Sequence, residues 1–231
     1  MKYTIPKVLV LACATSLSSV QAAVVIADYD FTSGSASATN ADANVTAGDF
    51  TVGSGLSGFA GISSSGNAYA RSTGTFGSSS VSFANAFANN DYFSLTVTPG
   101  SGFEMDLLSL TFDYGYSSTS NSGGDLRAYV TTSDDSHAAF KDYFTNTATV
   151  TGSTVFDTAA TVDLSGAEFQ DITSGFELRI YLSDQYAFND VIHRIDNVAL
   201  NGSVSAVAVP EPSSVALCGL GAVFFLTRRR R

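Results

Sequence analysis

The chain has 231 residues and a formal net charge of −10, from 11 Lys and Arg against 21 Asp and Glu. Within residues 23–209 the only bases are Arg71, Arg127, Lys141, Arg179 and Arg194, against twenty acids, so this body carries 5 − 20 = −15. Such a surface repels phosphate backbones and anionic lipid, which argues against nucleic acid as a partner. The two cysteines, Cys13 and Cys218, lie outside the body, which therefore has no disulfide, thiolate metal site or cysteine nucleophile.

The first element is a leader. Lys2 and Lys7 make a basic start, Val8 to Val20 is mostly apolar and small, and Val20-Gln21-Ala22 fits the small-residue cleavage pattern. A signal peptide over 1–22 follows, cut after Ala22, with Ala23 as the second choice. The apolar run falls short of the ~20 residues that a membrane span needs.

The body reads as one domain over 23–209, rich in Ser, Thr, Gly, Asn and Asp, with short apolar runs and no long segment of helical period. Strands are expected at Val24–Phe31, Phe50–Val52, Tyr92–Thr98, Leu107–Tyr116, Leu126–Thr132, Thr149–Phe156, Phe176–Leu182 and Ile192–Val204. Alternation puts Leu108, Leu110, Phe112 and Tyr114 on one face, Phe176, Leu178, Ile180 and Leu182 on another, and Val198, Leu200 and Val204 on a third. Pro99 beside Gly100 marks a turn. Residues 33–47 and 53–80 are rich in Gly, Ser, Ala and Asn and read as long loops or weak edge strands, the alternative being a partly disordered N-terminal third. Short one-sided strands separated by turn residues predict an all-β fold, an antiparallel β-sandwich.

The last element is the tail. Pro210-Glu211-Pro212 leads into an uncharged stretch from Ser213 to Thr227, and Arg228, Arg229, Arg230 and Arg231 close the chain. Fifteen residues make a short transmembrane helix, one that reaches across a thin bilayer only if its arginines snorkel. Those arginines hold their end on the cytoplasmic side. The order of parts resembles the PEP-CTERM sorting signal of Gram-negative bacteria. The resemblance implies recognition by an exosortase, a membrane-embedded cysteine protease, with processing near Pro-Glu-Pro and release or transfer of the cargo to the cell surface.

Three body segments add a second resemblance. Ala27-Asp28-Tyr29-Asp30-Phe31, the Phe-Glu-Leu-Arg-Ile-Tyr strand at 176–181, and Arg194-Ile195-Asp196-Asn197-Val198-Ala199-Leu200-Asn201-Gly202 are similar to jelly-roll modules attached to such tails. That likeness implies that the first and last strands lie side by side.

Asp196 draws notice because its parity matches Val198 and Leu200, which should face the core. An inward carboxylate needs a partner. Arg194 shares the parity and could pair with it. Asp28 and Asp30 share a face with Val24 and Ile26, so three carboxylates could converge on Ca²⁺, the only cofactor under consideration. The alternative gives Asp196 a backbone hydrogen bond at a strand bend. Asp134-Asp135 and the turn around Asn121–Asp125 read as solvated loop groups.

Catalysis finds little support. His137 and His193 are the only histidines and neither lies in a zinc or nucleophile-elbow motif, and Glu104, Glu168 and Glu177 are the only glutamates of the body. The chain is therefore read as not an enzyme. For sugar stacking, Tyr114, Tyr116, Tyr129, Tyr143, Tyr181 and Tyr186 replace the missing tryptophans. Tyr181, facing away from its apolar neighbours beside Arg179, is the first choice, with cross-strand packing as the alternative. The leading expectation is a surface or matrix protein held with exopolysaccharide in a biofilm. A carbohydrate-binding module comes second and a secreted hydrolase third. Expected partners are signal peptidase, exosortase, exopolysaccharide and, before processing, the membrane.

Overall fold

A computed structural model describes residues 24–56, 60–71, 82–118, 124–148, 152–184 and 191–208. The leader, both cleavage positions, the sorting tail from Pro210 and Tyr186 lie outside the described residues. The described chain runs through β1 (Val24–Tyr29), β2 (Asn40–Ala41), β3 (Val45–Ala47), β4 (Thr51–Val52), β5 (Ala60–Ser63), β6 (Asn67–Ala70) and α1 (Phe83–Asn89). It continues through β7 (Tyr92–Pro99), β8 (Phe103–Ser118), β9 (Gly124–Thr132), β10 (Phe140–Ala148), β11 (Val155–Asp163), β12 (Phe176–Asp184) and β13 (Val191–Ala206).

Two antiparallel sheets face each other. The first has the order β11-β8-β13-β1-β2, with β6 joined to β13 and β5 to β6. The second has the order β10-β9-β12-β7-β3, with β4 joined to β7. Among the longer strands the chain crosses between sheets at every connection except β9 to β10, which is the jelly-roll path. As expected, the opening and closing strands are neighbours, with Val24 opposite Gly202 and Tyr29 opposite Val198.

The core lies between the sheets. Phe93, Leu95 and Val97 of β7 and Phe176, Leu178, Ile180 and Leu182 of β12 meet Leu110 and Phe112 of β8 and Ile195, Val198 and Leu200 of β13. Pro99 ends β7, and the turn after it closes through Phe103 N–H to the Gly100 carbonyl at 3.0 Å, with Gly102 at φ 82°.

Three bulges correct the expected parity, because one inserted residue turns all that follows to the other face. The pairing of β8 with β13 is irregular between Asn201 and Gly202. Leu108 is thereby turned out, 45% exposed, while Leu107 is 2% exposed. Leu108 consequently leaves the face shared by Leu110, Phe112 and Tyr114. A second irregularity, between Val25 and Ala27, buries both Ile26 and Ala27 and turns Asp28 and Asp30 away from the core. A third, between Asp196 and Ala199, brings Ile195 and Val198 inward together and leaves Asp196 outside. Asn197 makes that turn at φ 50°, a left-handed conformation that Asn tolerates. Gly202 is needed for packing between two of the bulges: a Cβ there would stand 2.2 Å from the Asp106 carbonyl oxygen and 2.7 Å from Ile26 Cδ1.

Other strand expectations shift. The strand expected at 149–156 lies at Val155–Asp163, and β10 stands where no strand was expected. The described part of residues 33–80 carries the short strands β2 to β6, paired to the edges of both sheets. Among the described residues no helix is long and apolar enough to cross a membrane.

Candidate functional site

Outward-facing residues of the second sheet carry most of the chemistry. On β12, Glu177, Arg179 and Tyr181 alternate with the buried Leu178, Ile180 and Leu182. Tyr181 thus faces away from the core as expected, but it is 0% exposed. The helix α1 covers it. Phe83 stands edge-on to the Tyr181 ring at 5.5 Å, and Phe87 lies 5.6 Å from it. Tyr181 is therefore a packing residue under a helix and not an open stacking platform.

Local chemistry places that helix. The Ser82 hydroxyl caps it by accepting from Asn85 N–H at 3.3 Å, and Asn90 ends it at φ 58°. Ser82 N–H also donates to the Ser183 hydroxyl at 3.3 Å, tying the helix start to β12. Phe83, Ala86 and Phe87 follow the i, i+3, i+4 spacing of one helical face.

Around α1 an aromatic shelf spreads toward β10. Phe83 contacts Tyr129 at 5.7 Å and Phe140 at 5.5 Å, and Phe140 contacts Tyr143 at 5.9 Å. The register irregularity between Phe140 and Asp142 puts Phe140 and Tyr143 on the same side despite their odd spacing. Three rings of this shelf reach solvent: Tyr143 is 48% exposed, Phe140 42% and Phe87 41%. Arg127 lies beside it, its guanidinium carbon 5.9 Å from the Tyr143 ring centroid. Among the described tyrosines named from sequence, Tyr143 is the open one, whereas Tyr114, Tyr116, Tyr129 and Tyr181 are buried. Phe83, Phe87, Phe140 and Arg127 were missed. The signal for the two helix residues was the Ser82 cap ahead of the Phe83-Phe87 pair.

Next to the shelf runs a charged network. Arg179 donates to both Glu177 oxygens at 2.9 and 3.0 Å, lies 4.5 Å over the Tyr92 ring and reaches the Tyr181 hydroxyl at 3.4 Å. His137 is buried, with Nδ1 2.8 Å from the Thr131 hydroxyl and Nε2 3.3 Å from Glu177. Desolvation and the Arg179 charge push His137 below the ordinary imidazole value, against the pull of Glu177. Glu177 is itself held low: desolvation works upward, but the Arg179 hydrogen bonds and charge outweigh it. Nearby, Lys141 bridges Asp134 at 3.0 Å and Asp135 at 3.3 Å, so this acidic pair is ion-paired rather than merely solvated.

The second histidine lies in the core between the sheets. Its Nδ1 is 2.9 Å from the Tyr114 hydroxyl and its Nε2 is 3.7 Å from an Asp184 oxygen. Burial, then the Asp184 charge, pushes the Tyr114 phenol well up.

The carboxylates considered for Ca²⁺ lie on the outer face of the first sheet. Asp28 accepts from the backbone and side-chain amides of Asn40 at 2.7 to 3.1 Å. Asp30 accepts from Thr39 at 2.6 Å and from Thr32 N–H at 2.9 Å. Asp196 accepts from Asn197 N–H at 2.8 Å, and its cross-strand neighbour is Asp113. Desolvation first, then the Asp113 and Asp30 charges, raise the Asp196 carboxyl. Among the described residues no group of three or more His, Cys, Asp or Glu side chains is placed to hold a metal. Asp196 thus holds a backbone hydrogen bond at a strand bend, and Asp28 is hydrogen-bonded to Asn40. Arg194 does not pair with Asp196 either: it donates to Asn67 at 2.9 Å and to the Ser117 hydroxyl at 3.2 and 3.3 Å.

Comparison with known proteins places the tail. Residues 208–231 match the PEP-CTERM protein-sorting motif. No curated protein matches the chain. Among solved structures, TmCBM27, a carbohydrate-binding module described for specific mannan recognition, is 13% identical with a TM-score of 0.40, covering 79% of this chain and 99% of that one. The K3 cleaved adhesin domain of Lys-gingipain from Porphyromonas gingivalis w83 is 13% identical with a TM-score of 0.37, covering 78% and 99%. A structure described under CBM4 structure and function is 14% identical with a TM-score of 0.35, covering 66% and 94%. Likenesses this distant assign no ligand to the chain.

Proposed function

We propose that the chain is made as an exported precursor of a Gram-negative bacterium. Signal peptidase removes residues 1–22, the segment 213–227 holds the precursor in the membrane, and an exosortase processes it near Pro210-Glu211-Pro212. The body then serves at the cell surface or in the extracellular matrix as a non-enzymatic structural or adhesive protein held with exopolysaccharide in a biofilm. The match of residues 208–231 to the sorting motif carries this reading. The layout of the body fits it: β13 ends at Ala206, and Val207 N–H is tied to the Gly102 carbonyl at 2.9 Å. A cut near Pro210–Pro212 therefore removes no strand residue. A non-catalytic body is further supported by the two histidines, both buried and hydrogen-bonded in place. Replacing Pro210, Glu211 and Pro212 with alanine should leave a membrane-retained precursor, because the apolar run and the arginines remain. Release of that variant at the wild-type level would overturn the reading.

A second reading, a carbohydrate-binding body, is favoured by the open shelf of Phe87, Phe140 and Tyr143. Flat apolar rings of this kind offer a stacking surface to the C–H face of a sugar. Saturable binding on a glycan array separates this reading from a purely structural role, and turnover of polysaccharide would instead favour the hydrolase.

A further inference from the structure

The five bases of the body are treated unequally. Lys141 and Arg179 are ion-paired to carboxylates, and Arg194 is held by the neutral oxygens of Asn67 and Ser117. Arg127 forms no ion pair within 4.0 Å among the described residues, and its Nε is buried without a hydrogen-bond partner. In a body with twenty acids and five bases, a guanidinium with no ion pair and a buried, unbonded Nε is unexpected. It stands instead over the edge of the aromatic shelf. The register fixes this: Arg127 is opposite Thr145 on β10 and Ser183 on β12, and Tyr129 is opposite Tyr143. Thr145 and Tyr143 are both exposed, so the guanidinium and the ring share an open floor.

We propose that Arg127 and Tyr143 form a subsite for a carboxylated sugar within a glycan chain, with the sugar ring on the Tyr143 face and its carboxylate on the Arg127 guanidinium. This rests on the carbohydrate-binding reading and names its ligand class. A guanidinium presents a planar fork of N–H donors that matches a carboxylate two bonds at a time, and an aromatic face beside it fixes the sugar ring. The surrounding charge narrows the class further. A body of −15 repels every additional anion that comes within the Debye length, roughly 8 Å at physiological salt. The polymer that fits is a glycan with widely spaced uronate residues, not a densely charged one and not a phosphate polymer.

Titration calorimetry of the full chain in non-ionic detergent tests this with a matched pair of probes. One is an oligosaccharide containing glucuronate, and the other is the same oligosaccharide with its carboxylate reduced to the alcohol. The wild type should bind the carboxylated probe about tenfold or more tightly than the reduced one, the size of a charge-assisted hydrogen-bonded pair. Arg127→Gln should bind both equally at the weaker level, Arg127→Lys should recover part of the preference, and Tyr143→Ala should lose both. Equal binding of the two probes by the wild type would overturn the subsite while leaving the carbohydrate-binding reading intact. Binding of neither probe at millimolar concentration would overturn that reading and the subsite with it. The comparison of probes on the wild type decides the matter even where a variant fails to fold, and circular dichroism identifies that case.

Discussion

At the residue scale, His137 gives the clearest pH dependence. It is buried between Thr131 and Glu177, and its folded value lies below the ordinary 6.5. The unfolded chain therefore takes up a proton as pH falls through about 6.5, while the folded chain resists. Folded stability should accordingly fall as pH drops below that point, until the depressed folded value is reached. His137→Gln, which titrates nowhere in this range, should flatten this part of a melting-temperature profile, and an unchanged slope in the variant would remove His137 as its source. Glu177 contributes in the same sense and lower down. Its depressed carboxyl lends stability above about 4.5 that is lost as pH falls further. Single residues were the hardest thing to read from sequence. Asp196 and Leu108 were assigned to a face by counting parity, and one bulge near each reversed the count. Nothing in a run such as Ile195-Asp196-Asn197-Val198 shows the extra residue, because the bulge is fixed by the pairing of β13 with β8.

At the element scale, α1 decides what the outer face of the second sheet can do. It has seven residues, well short of the ~12–15 at which isolated helices become even marginal. It persists because Ser82 caps it and because Phe83 and Ala86 pack on Tyr129 and Tyr181. Removing the Phe83 ring should cost about 2 kcal/mol, below the usual range for a fully buried phenylalanine because Phe83 is only partly buried. Phe83→Ala should lower the denaturant midpoint accordingly and make Tyr181 accessible to solvent. A Tyr181 that stays shielded in this variant would mean that something other than the helix covers it. The central strands were legible because Phe176, Leu178, Ile180 and Leu182 alternate with Glu177, Arg179 and Tyr181. The strand β10 was not, because Phe140-Lys141-Asp142-Tyr143-Phe144 breaks alternation at its own irregularity. The helix was missed because two phenylalanines and an alanine among asparagines make too short a pattern to stand out from loop.

At the scale of the whole molecule, three layers of information separate cleanly. Composition and charge set the expectation of an acidic body that repels phosphate backbones. Alternation and turn residues pointed to an all-β sandwich, the resemblance to jelly-roll modules implied that its first and last strands are adjacent, and the paths of the two sheets agree with both. The sorting tail was legible through its resemblance to a known signal, Pro-Glu-Pro, an apolar run and four arginines in order, and residues 208–231 match that sorting motif. The candidate binding shelf was largely illegible, since Arg127, Phe83, Phe140 and Tyr143 come from three elements that only the folded sandwich brings together. The central claim is export and processing at both ends, leaving a complete sandwich outside the cell. Mass spectrometry of the protein recovered from the cell surface or culture medium tests it most directly. The account predicts a mature chain that starts at Ala23 or Val24 and ends near Pro210–Pro212. Recovery of released protein with Arg231 intact would contradict it.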